Sequence, residues 1–295
     1  MPGPIPTFHD AEIDSNTSVH YIEAGSPEKP TILLLHGFPS SSTQYRDLVP
    51  LLANDYHVVA PDLPGYGLTT VPSDFAYTFD NLANIIIAFL AVLRIKTYAM
   101  YIFDYGAPVG FRLALNNPDS VKAIISQNGN AYVEGFGHPF WDPIMKLWNS
   151  SNAEEDRVWL KENYLTLAST KMQYTYAFPE ADLDLINPAQ YTLDYLQNEA
   201  GPVNQDCQVD LFYDYRTNVD IYPKVHEYFR KTQVPLLAVW GKGDPVFIPP
   251  GAEAYKRDLP NAVVKFVDAG HFALETKRWE IAAEMREFLK GVEFS

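Results

Sequence analysis

The stretch Thr97-Tyr-Ala-Met-Tyr-Ile-Phe-Asp-Tyr-Gly-Ala-Pro-Val-Gly110 decides the fold. Its β-branched and aromatic residues 97–102 predict a buried strand, and a helical pattern follows at 106–116. A lone carboxylate, Asp104, stands at the junction. A strand that enters a helix through a tight turn holds the side chain of that turn out at the top of the sheet. A carboxylate there can attack carbon to form an alkyl ester, which suits epoxides and alkyl halides better than amides.

Similar apolar runs alternate with helical patterns along much of the chain. Because these runs are continuously apolar, they indicate a parallel sheet that is covered by helices on both faces. The expected strands are 31–35, 56–60, 97–102, 121–127, 235–240 and 262–267, and the expected helices are 79–93, 106–116 and 279–289.

The alternation stops between residues 131 and 226, where the sequence is rich in tyrosine and has no clear buried strand. Helical patterns at 154–167 and 189–197 predict a mostly helical insertion over the strand ends, where open α/β sheets bind ligands. The alternative is that this helical segment packs elsewhere on the sheet. We therefore expect an α/β core at 1–130 and 227–295, with an inserted helical cap at 131–226.

A second loop that could take part in catalysis, His36-Gly37-Phe38-Pro39, directly follows the strand expected at 31–35. A turn of this kind aims backbone N–H groups at the space above the sheet. With the N–H of Tyr105, the N–H of Phe38 would form an oxyanion hole.

Two further strand ends carry a carboxylate and an imidazole. Asp244 lies in Trp240-Gly-Lys-Gly-Asp-Pro245, and His271 lies in Asp268-Ala-Gly-His-Phe272. An aspartate in such a turn can orient a histidine, and the histidine can act as a general base. Each motif is weak by itself. The order nucleophile, acid and histidine, each at the end of an expected strand, makes Asp104, Asp244 and His271 a candidate catalytic triad.

These motifs resemble the α/β-hydrolase superfamily, specifically its branch of epoxide hydrolases and haloalkane dehalogenases. The residues that carry the resemblance are His36-Gly-Phe-Pro39, Asp62-Leu-Pro-Gly-Tyr-Gly67, Asp104-Tyr-Gly106, Gly241-Lys-Gly-Asp244 and Gly270-His271. The resemblance is close over the core and loose over the cap. It implies a mostly parallel eight-stranded sheet, a helical cap, and catalysis with no metal or organic cofactor. Phe103 and Ile102 depart from the pattern, since a histidine and a smaller residue are commoner there.

The resemblance also bears on the leaving group. Haloalkane dehalogenases typically hold the halide with a tryptophan just after the nucleophile and often an asparagine in the His-Gly-X turn. Here Tyr105 and Phe38 occupy those positions. Trp141 or Trp148 of the cap would have to supply an indole N–H instead.

Epoxide hydrolases protonate the departing oxygen with cap tyrosines, and residues 211–218 are similar to the element that carries one. Tyr213 is the first choice there and Tyr215 the second, and the other donor would be Tyr174 or Tyr176. The sequence therefore predicts an epoxide hydrolase. A haloalkane or haloacid dehalogenase, or a non-hydrolytic binding protein on a hydrolase scaffold, are the alternatives.

Amino-acid composition indicates which classes of binding partner and which cellular compartment to expect. A formal net charge of −15 argues against nucleic acids and anionic membranes. The single cysteine, Cys207, suits a reducing compartment, and the N-terminus lacks the features of a secretory signal. The longest apolar run, 85–93, is far shorter than the ~20 residues of a membrane span. We expect a cytoplasmic monomer or homodimer that acts on a small neutral organic substrate and water.

Overall fold

The computed structural model describes residues 4–294, so the extreme ends of the predicted core, 1–3 and 295, lie outside it. This part of the chain forms one eight-stranded sheet, whose strands are β1 Thr7–Asp14, β2 Thr17–Ala24, β3 Thr31–Leu35, β4 His57–Pro61, β5 Tyr98–Phe103, β6 Val121–Gln127, β7 Leu236–Gly241 and β8 Val263–Val267. Their order in the sheet is β1-β2-β4-β3-β5-β6-β7-β8. Strand β2 pairs antiparallel with β1 and with β4, and the other neighbours pair parallel, which confirms the expected mostly parallel α/β fold.

Six of the eight strands, β3 to β8, lie where the apolar runs predict them, and their ends differ by at most one residue. Every residue of β3, β5 and β7 is buried, as expected for strands that are covered on both faces. The patterns did not locate β1 and β2. Strand β1 is mostly exposed at the sheet edge, so it carries no apolar run.

Helices cover both faces of the sheet. Helices α2 and α3 pack in a hydrophobic core on one face, whereas α1 and α11 pack in a second core on the other. The predicted closing helix at 279–289 begins five residues earlier, at Leu274. The helices are α1 Val49–Leu52, α2 Phe79–Val92, α3 Gly106–Asn116, α4 Asp142–Asn149, α5 Glu154–Asn163, α6 Leu167–Thr175, α7 Pro188–Asp194, α8 Pro202–Asp214, α9 Arg216–Thr232, α10 Pro249–Ala254 and α11 Leu274–Leu289.

The segment between β6 and β7 is helical and contains α4 to α9. The helix predicted at 154–167 is divided, because α5 ends at Asn163 and Thr166 caps a new helix, α6. The helix predicted at 189–197 is α7 followed by a π-helical turn, Tyr195–Glu199. Helix α9 runs through the predicted cap boundary at residue 226 and ends at Thr232.

Side-chain contacts hold this helical segment to the core at the end of the sheet that carries Asp104. Asn198 of the π-helical turn donates to Pro39 O over 2.7 Å. The indole of Trp141 donates to Val246 O over 2.8 Å, next to the β7 end. The segment therefore lies over the carboxyl ends of the parallel strands. No helix within residues 4–294 is long and apolar enough to cross a membrane.

Candidate active site

A tight turn between β5 and α3 presents Asp104. Its φ of 47° is in the left-handed region, which is uncommon for a residue with a side chain. The turn also needs close backbone approach: a Cβ on Gly106 would overlap the carbonyl oxygen of Leu35, and one on Gly37 would overlap Asp104 itself. These contacts explain why glycines stand at both positions. They hold the carboxylate in a buried position at the strand end.

The two oxygens of Asp104 have different environments. Oδ1 accepts hydrogen bonds from the backbone N–H groups of Phe38 at 2.7 Å and Tyr105 at 2.6 Å. Oδ2 lies 3.9 Å from His271 Nε2. Both predicted oxyanion-hole donors therefore bind Oδ1, and Oδ2 is available to react with a substrate.

Asp244 and His271 meet beside Asp104. His271 Nδ1 lies 2.7 Å from Asp244 Oδ2, and both side chains are almost fully buried. Because the carboxylate accepts at this distance, the Nδ1 proton is on the imidazole and Nε2 faces Asp104. No hydrogen-bond partner for Nε2 is present in the part of the chain that the structure describes. An imidazole oriented in this way can take a proton from a bound water.

The sequence reasoning missed Asn128, which belongs to the same cluster. Its amide nitrogen donates to Asp244 Oδ2 over 2.6 Å, the same oxygen that His271 contacts. Its Oδ1 accepts from the N–H of Gly241 over 2.9 Å. Asn128 follows β6 directly and has a φ of 49°. A polar residue at the end of another parallel strand was the available signal, as it was for Asp104, Asp244 and His271.

Electrostatics favour an ionised Asp104 carboxylate at neutral pH. Burial raises the pKa of Asp104 to about 6, although the charge of His271 and the two N–H donors lower it. Burial lowers the pKa of His271, but the charge and hydrogen bond of Asp244, together with the charge of Asp104, outweigh burial and raise it overall. The Asp104 carboxylate therefore faces an imidazole whose pKa is raised.

The two residues that depart from the family pattern are well packed. The Phe103 ring lies 4.6 Å from the His271 ring and 5.0 Å from the Phe272 ring, centroid to centroid. Phe103 therefore forms part of the wall that holds the imidazole. Ile102 fits because the facing helix residue is Gly110, where an added Cβ would come within 2.7 Å of Ile102 Cγ2.

The imidazole of His36, in the His-Gly-Phe-Pro motif, is hydrogen-bonded to the backbone of a neighbouring loop. Its Nε2 accepts the N–H of Leu63 over 2.9 Å, which ties this loop to the Asp62–Gly67 motif. Burial lowers the pKa of His36 to about 4, so the imidazole is neutral and can accept. Phe38 and Pro39 are joined by a cis peptide bond.

Among the predicted tyrosine donors, Tyr215 is the one that approaches the triad. It is fully buried, and its ring lies 5.8 Å from that of Tyr105. Within residues 4–294, neither phenol oxygen has a hydrogen-bond partner at 3.5 Å or less. Burial first, and the charge of Asp104 among the further causes, raise the pKa of both tyrosines. The Tyr105 hydroxyl, and the Tyr215 hydroxyl with Tyr222 as its polar neighbour, therefore both interact electrostatically with the carboxylate.

The other predicted tyrosines have different surroundings. Tyr213, the first choice from the sequence, is only partly buried and packs under the guanidinium of Arg216 at 3.6 Å. Tyr174 donates its hydroxyl to Asp194. Tyr176 is 53% exposed. The preference for Tyr213 over Tyr215 is therefore reversed by their positions.

The cap tryptophans do not offer free donors. Trp141 contacts the Tyr215 ring at 4.7 Å, but its indole N–H is bonded to Val246 O. Trp148 donates its indole N–H to Phe212 O over 2.7 Å. Both N–H groups are engaged with backbone carbonyls. No group of three or more His, Cys, Asp or Glu side chains among residues 4–294 is arranged to hold a metal ion.

Comparisons with known proteins identify the family. Residues 30–278 match the model for the alpha/beta hydrolase fold. An uncharacterized hydrolase of Saccharomyces cerevisiae is 44% identical over 285 residues, which are 95% of this chain and 96% of that protein. A haloalkane dehalogenase of Psychrobacter cryohalolentis is 35% identical over 121 residues, or 40% of each chain.

A solved structure of the epoxide hydrolase CorEH superposes with a TM-score of 0.76 at 20% identity, covering 97% of this chain and 99% of that one. At this identity the superposition supports the fold. The family match covers most of the chain, and the relatives carry hydrolase and dehalogenase names. The chain is therefore a hydrolase of the α/β-hydrolase superfamily.

Proposed function

We propose that this protein is an epoxide hydrolase that opens a small neutral epoxide to a diol, with Asp104 as the nucleophile and no cofactor. The observation that carries the proposal is the hydroxyl of Tyr215, which is fully buried, has the Tyr222 hydroxyl as its polar neighbour beyond 3.5 Å and interacts electrostatically with Asp104. A phenol is a suitable acid for the strongly basic alkoxide that epoxide opening produces.

In the first step, Asp104 Oδ2 attacks an epoxide carbon. The carbon–oxygen bond of the ring breaks, and the oxygen takes the proton of Tyr215, with Tyr105 as the second candidate donor. The product is an alkyl ester on Asp104. Oδ1 keeps its two backbone hydrogen bonds, so the carboxylate is oriented during attack.

In the second step, His271 takes a proton from water, and the hydroxide attacks the ester carbon of Asp104. The negative charge develops on Oδ1, where the N–H groups of Phe38 and Tyr105 already point. The tetrahedral intermediate then releases the diol and restores the carboxylate, and the proton held by His271 returns to the Tyr215 phenolate through solvent. The charge of Asp104 is one cause of the raised pKa of His271, and esterification removes that charge. Ester formation therefore favours the neutral imidazole that the second step needs.

The dehalogenase alternative uses the same nucleophile, and the 35% identity to a haloalkane dehalogenase favours it. It needs donors that hold a departing halide. Phe38 has no side-chain donor, and the indole N–H groups of Trp141 and Trp148 are bonded to carbonyl oxygens. These engagements favour epoxide opening.

Replacing Tyr215 with phenylalanine tests the proposal. The ring packing is kept and only the acidic hydroxyl is lost, so kcat/KM for styrene oxide should fall by about 100-fold or more. The matched control is Tyr213→Phe, since Tyr213 lies two residues away and packs on Arg216. That variant should keep wild-type activity.

Full diol formation by the Tyr215→Phe variant would contradict the role of Tyr215 as the proton donor. Wild-type release of halide from a chloroalkane, with no diol formed from any epoxide, would contradict epoxide hydrolysis and support the dehalogenase alternative.

A further inference from the structure

A cavity of about 410 Å³ lies at the end of the sheet opposite Asp104. Its walls include Thr31 and His57, which begin β3 and β4, and Thr97, which directly precedes β5. Asp104 follows the other end of β5, and at about 3.3 Å per residue the strand separates the two sites by roughly 20 Å. The volume is within the range of small-molecule sites, roughly 300–1,000 Å³. The cavity is therefore a separate candidate site.

Three cationic side chains line this cavity, namely those of Lys29, Arg94 and Lys96, together with one acidic residue, Glu28. In the part of the chain that the structure describes, none of the three cations forms an ion pair, and the ammonium of Lys29 donates to the backbone oxygen of Asn54. The rest of the chain is strongly acidic, since its formal net charge is −15. A cleft lined mainly by cations creates a local potential that attracts anions.

The other polar side chains of the cavity already have partners. Thr31 Oγ1 lies 3.1 Å from His57 Nδ1, and His57 Nε2 lies 2.6 Å from Glu23 Oε1. The Thr97 hydroxyl donates to Phe294 O over 3.4 Å. The three cations are therefore the groups that can hold a ligand there.

The backbone of Arg94 is a second observation that points to a role for its side chain. Its φ of 58° is in the left-handed region, and the residue at this place after a helix is usually glycine. Backbone strain of this kind concentrates at functional sites. The helix end does not require the cations, because the carbonyl oxygens of Phe89, Leu90 and Ala91 accept the N–H groups of residues 93–95.

We propose that this cavity binds a small, soluble organic phosphate. A phosphate monoester carries roughly two negative charges at neutral pH, which suits a cluster of cations, and an arginine can bind two of its oxygens at once. Leu93, Ile95 and Phe294 offer an apolar wall for the carbon part of the ligand. A soluble ligand is favoured over a membrane headgroup, because the net charge of the chain is repelled by an anionic membrane. The proposal does not depend on the reaction at Asp104.

Three variants separate ligand binding from a structural role. Arg94→Gly removes the guanidinium and supplies the residue that best tolerates this φ, so binding should weaken without a loss of thermal stability. Lys96→Gln removes an exposed charge and leaves the core intact. Lys171→Gln is the matched control, because it makes the same charge change at an exposed position of the cap helix α6.

The probe is phenyl phosphate, titrated calorimetrically at constant ionic strength so that general charge screening does not change. Benzoate, which carries the same ring with a single charge, is the control ligand. The wild type and Lys171→Gln should bind one phenyl phosphate per chain saturably, and both should bind benzoate more weakly. Arg94→Gly and Lys96→Gln should each bind phenyl phosphate about tenfold more weakly, the size of one lost hydrogen bond to a charged group.

A wild type that shows no saturable binding of phenyl phosphate overturns the inference. Arg94→Gly and Lys96→Gln variants that bind it as tightly as the wild type also overturn it, because the ligand would then lie elsewhere on the protein. A third contrary result is binding to phosphatidylcholine vesicles that contain phosphatidic acid, without binding to phenyl phosphate. That outcome would assign the cavity to a membrane headgroup instead of a soluble phosphate.

Discussion

At the scale of single residues, the two oxygens of Asp104 are prepared for different tasks. Oδ1 is bound by two backbone N–H groups, and Oδ2 faces His271 at 3.9 Å. The sequence predicts that Asp104, Asp244 and His271 come together, because each of them follows an expected apolar strand. It does not predict Asn128, because a polar residue after β6 is indistinguishable from an ordinary turn residue until Asp244 is placed beside it.

The pKa of Asp104 should determine how kcat/KM falls as the pH is lowered. The carboxylate must be ionised to attack, and burial raises its pKa to about 6. Below that value kcat/KM for an epoxide should fall about tenfold per pH unit, and it should level off above it. Steady-state kinetics with circular dichroism at each pH would separate titration from unfolding. Activity that stays constant down to about pH 4, the ordinary range of an aspartate, would contradict the raised pKa.

At the scale of secondary-structure elements, the sequence predicts strands better than cap helices. Strands β3, β5 and β7 are buried along their whole length, and each of the strands β3 to β8 ends at or just before a polar or glycine residue, so their limits are readable. The choice between Tyr213 and Tyr215 depends on how α8 ends and α9 begins. Helix α8 ends at Asp214 and α9 begins at Arg216, so Tyr215 stands at a junction where helical periodicity gives no direction.

The π-helical turn Tyr195–Glu199 connects the cap to the loop whose Phe38 N–H binds Asp104. Asn198→Ala removes hydrogen bonds to Pro39 O and Gly67 N. We expect a loss of stability of about 1–3 kcal/mol and a several-fold higher KM, because buried backbone groups of both motifs lose their partner. Thermal unfolding and steady-state kinetics measure the two effects.

A matched control for this variant is Asn204→Ala. Asn204 bonds only to carbonyl oxygens of Gln197 and Ala200, within the cap. It should lower stability without changing KM. An Asn198 variant that loses stability but keeps the wild-type KM would show that the turn does not position the catalytic loop.

At the scale of the whole molecule, the negative net charge should disfavour anionic substrates. The chain carries a formal charge of −15, which repels anions over the distance of the Debye length, ~10 Å at 0.1 M salt. For an epoxide that bears a carboxylate, kcat/KM should therefore rise several-fold with added salt, while a neutral epoxide of similar size should be unaffected. Faster turnover of the anionic epoxide at low salt would contradict this account.

Oxygen exchange shows whether an ester forms on Asp104 during turnover. The protein would hydrolyse styrene oxide over many turnovers in heavy-oxygen water, followed by mass spectrometry of the peptide that contains Asp104. Because water attacks the ester carbon, heavy oxygen should accumulate in the Asp104 carboxylate. An unlabelled Asp104 alongside formed diol would mean that water attacks the epoxide directly, and it would contradict the account.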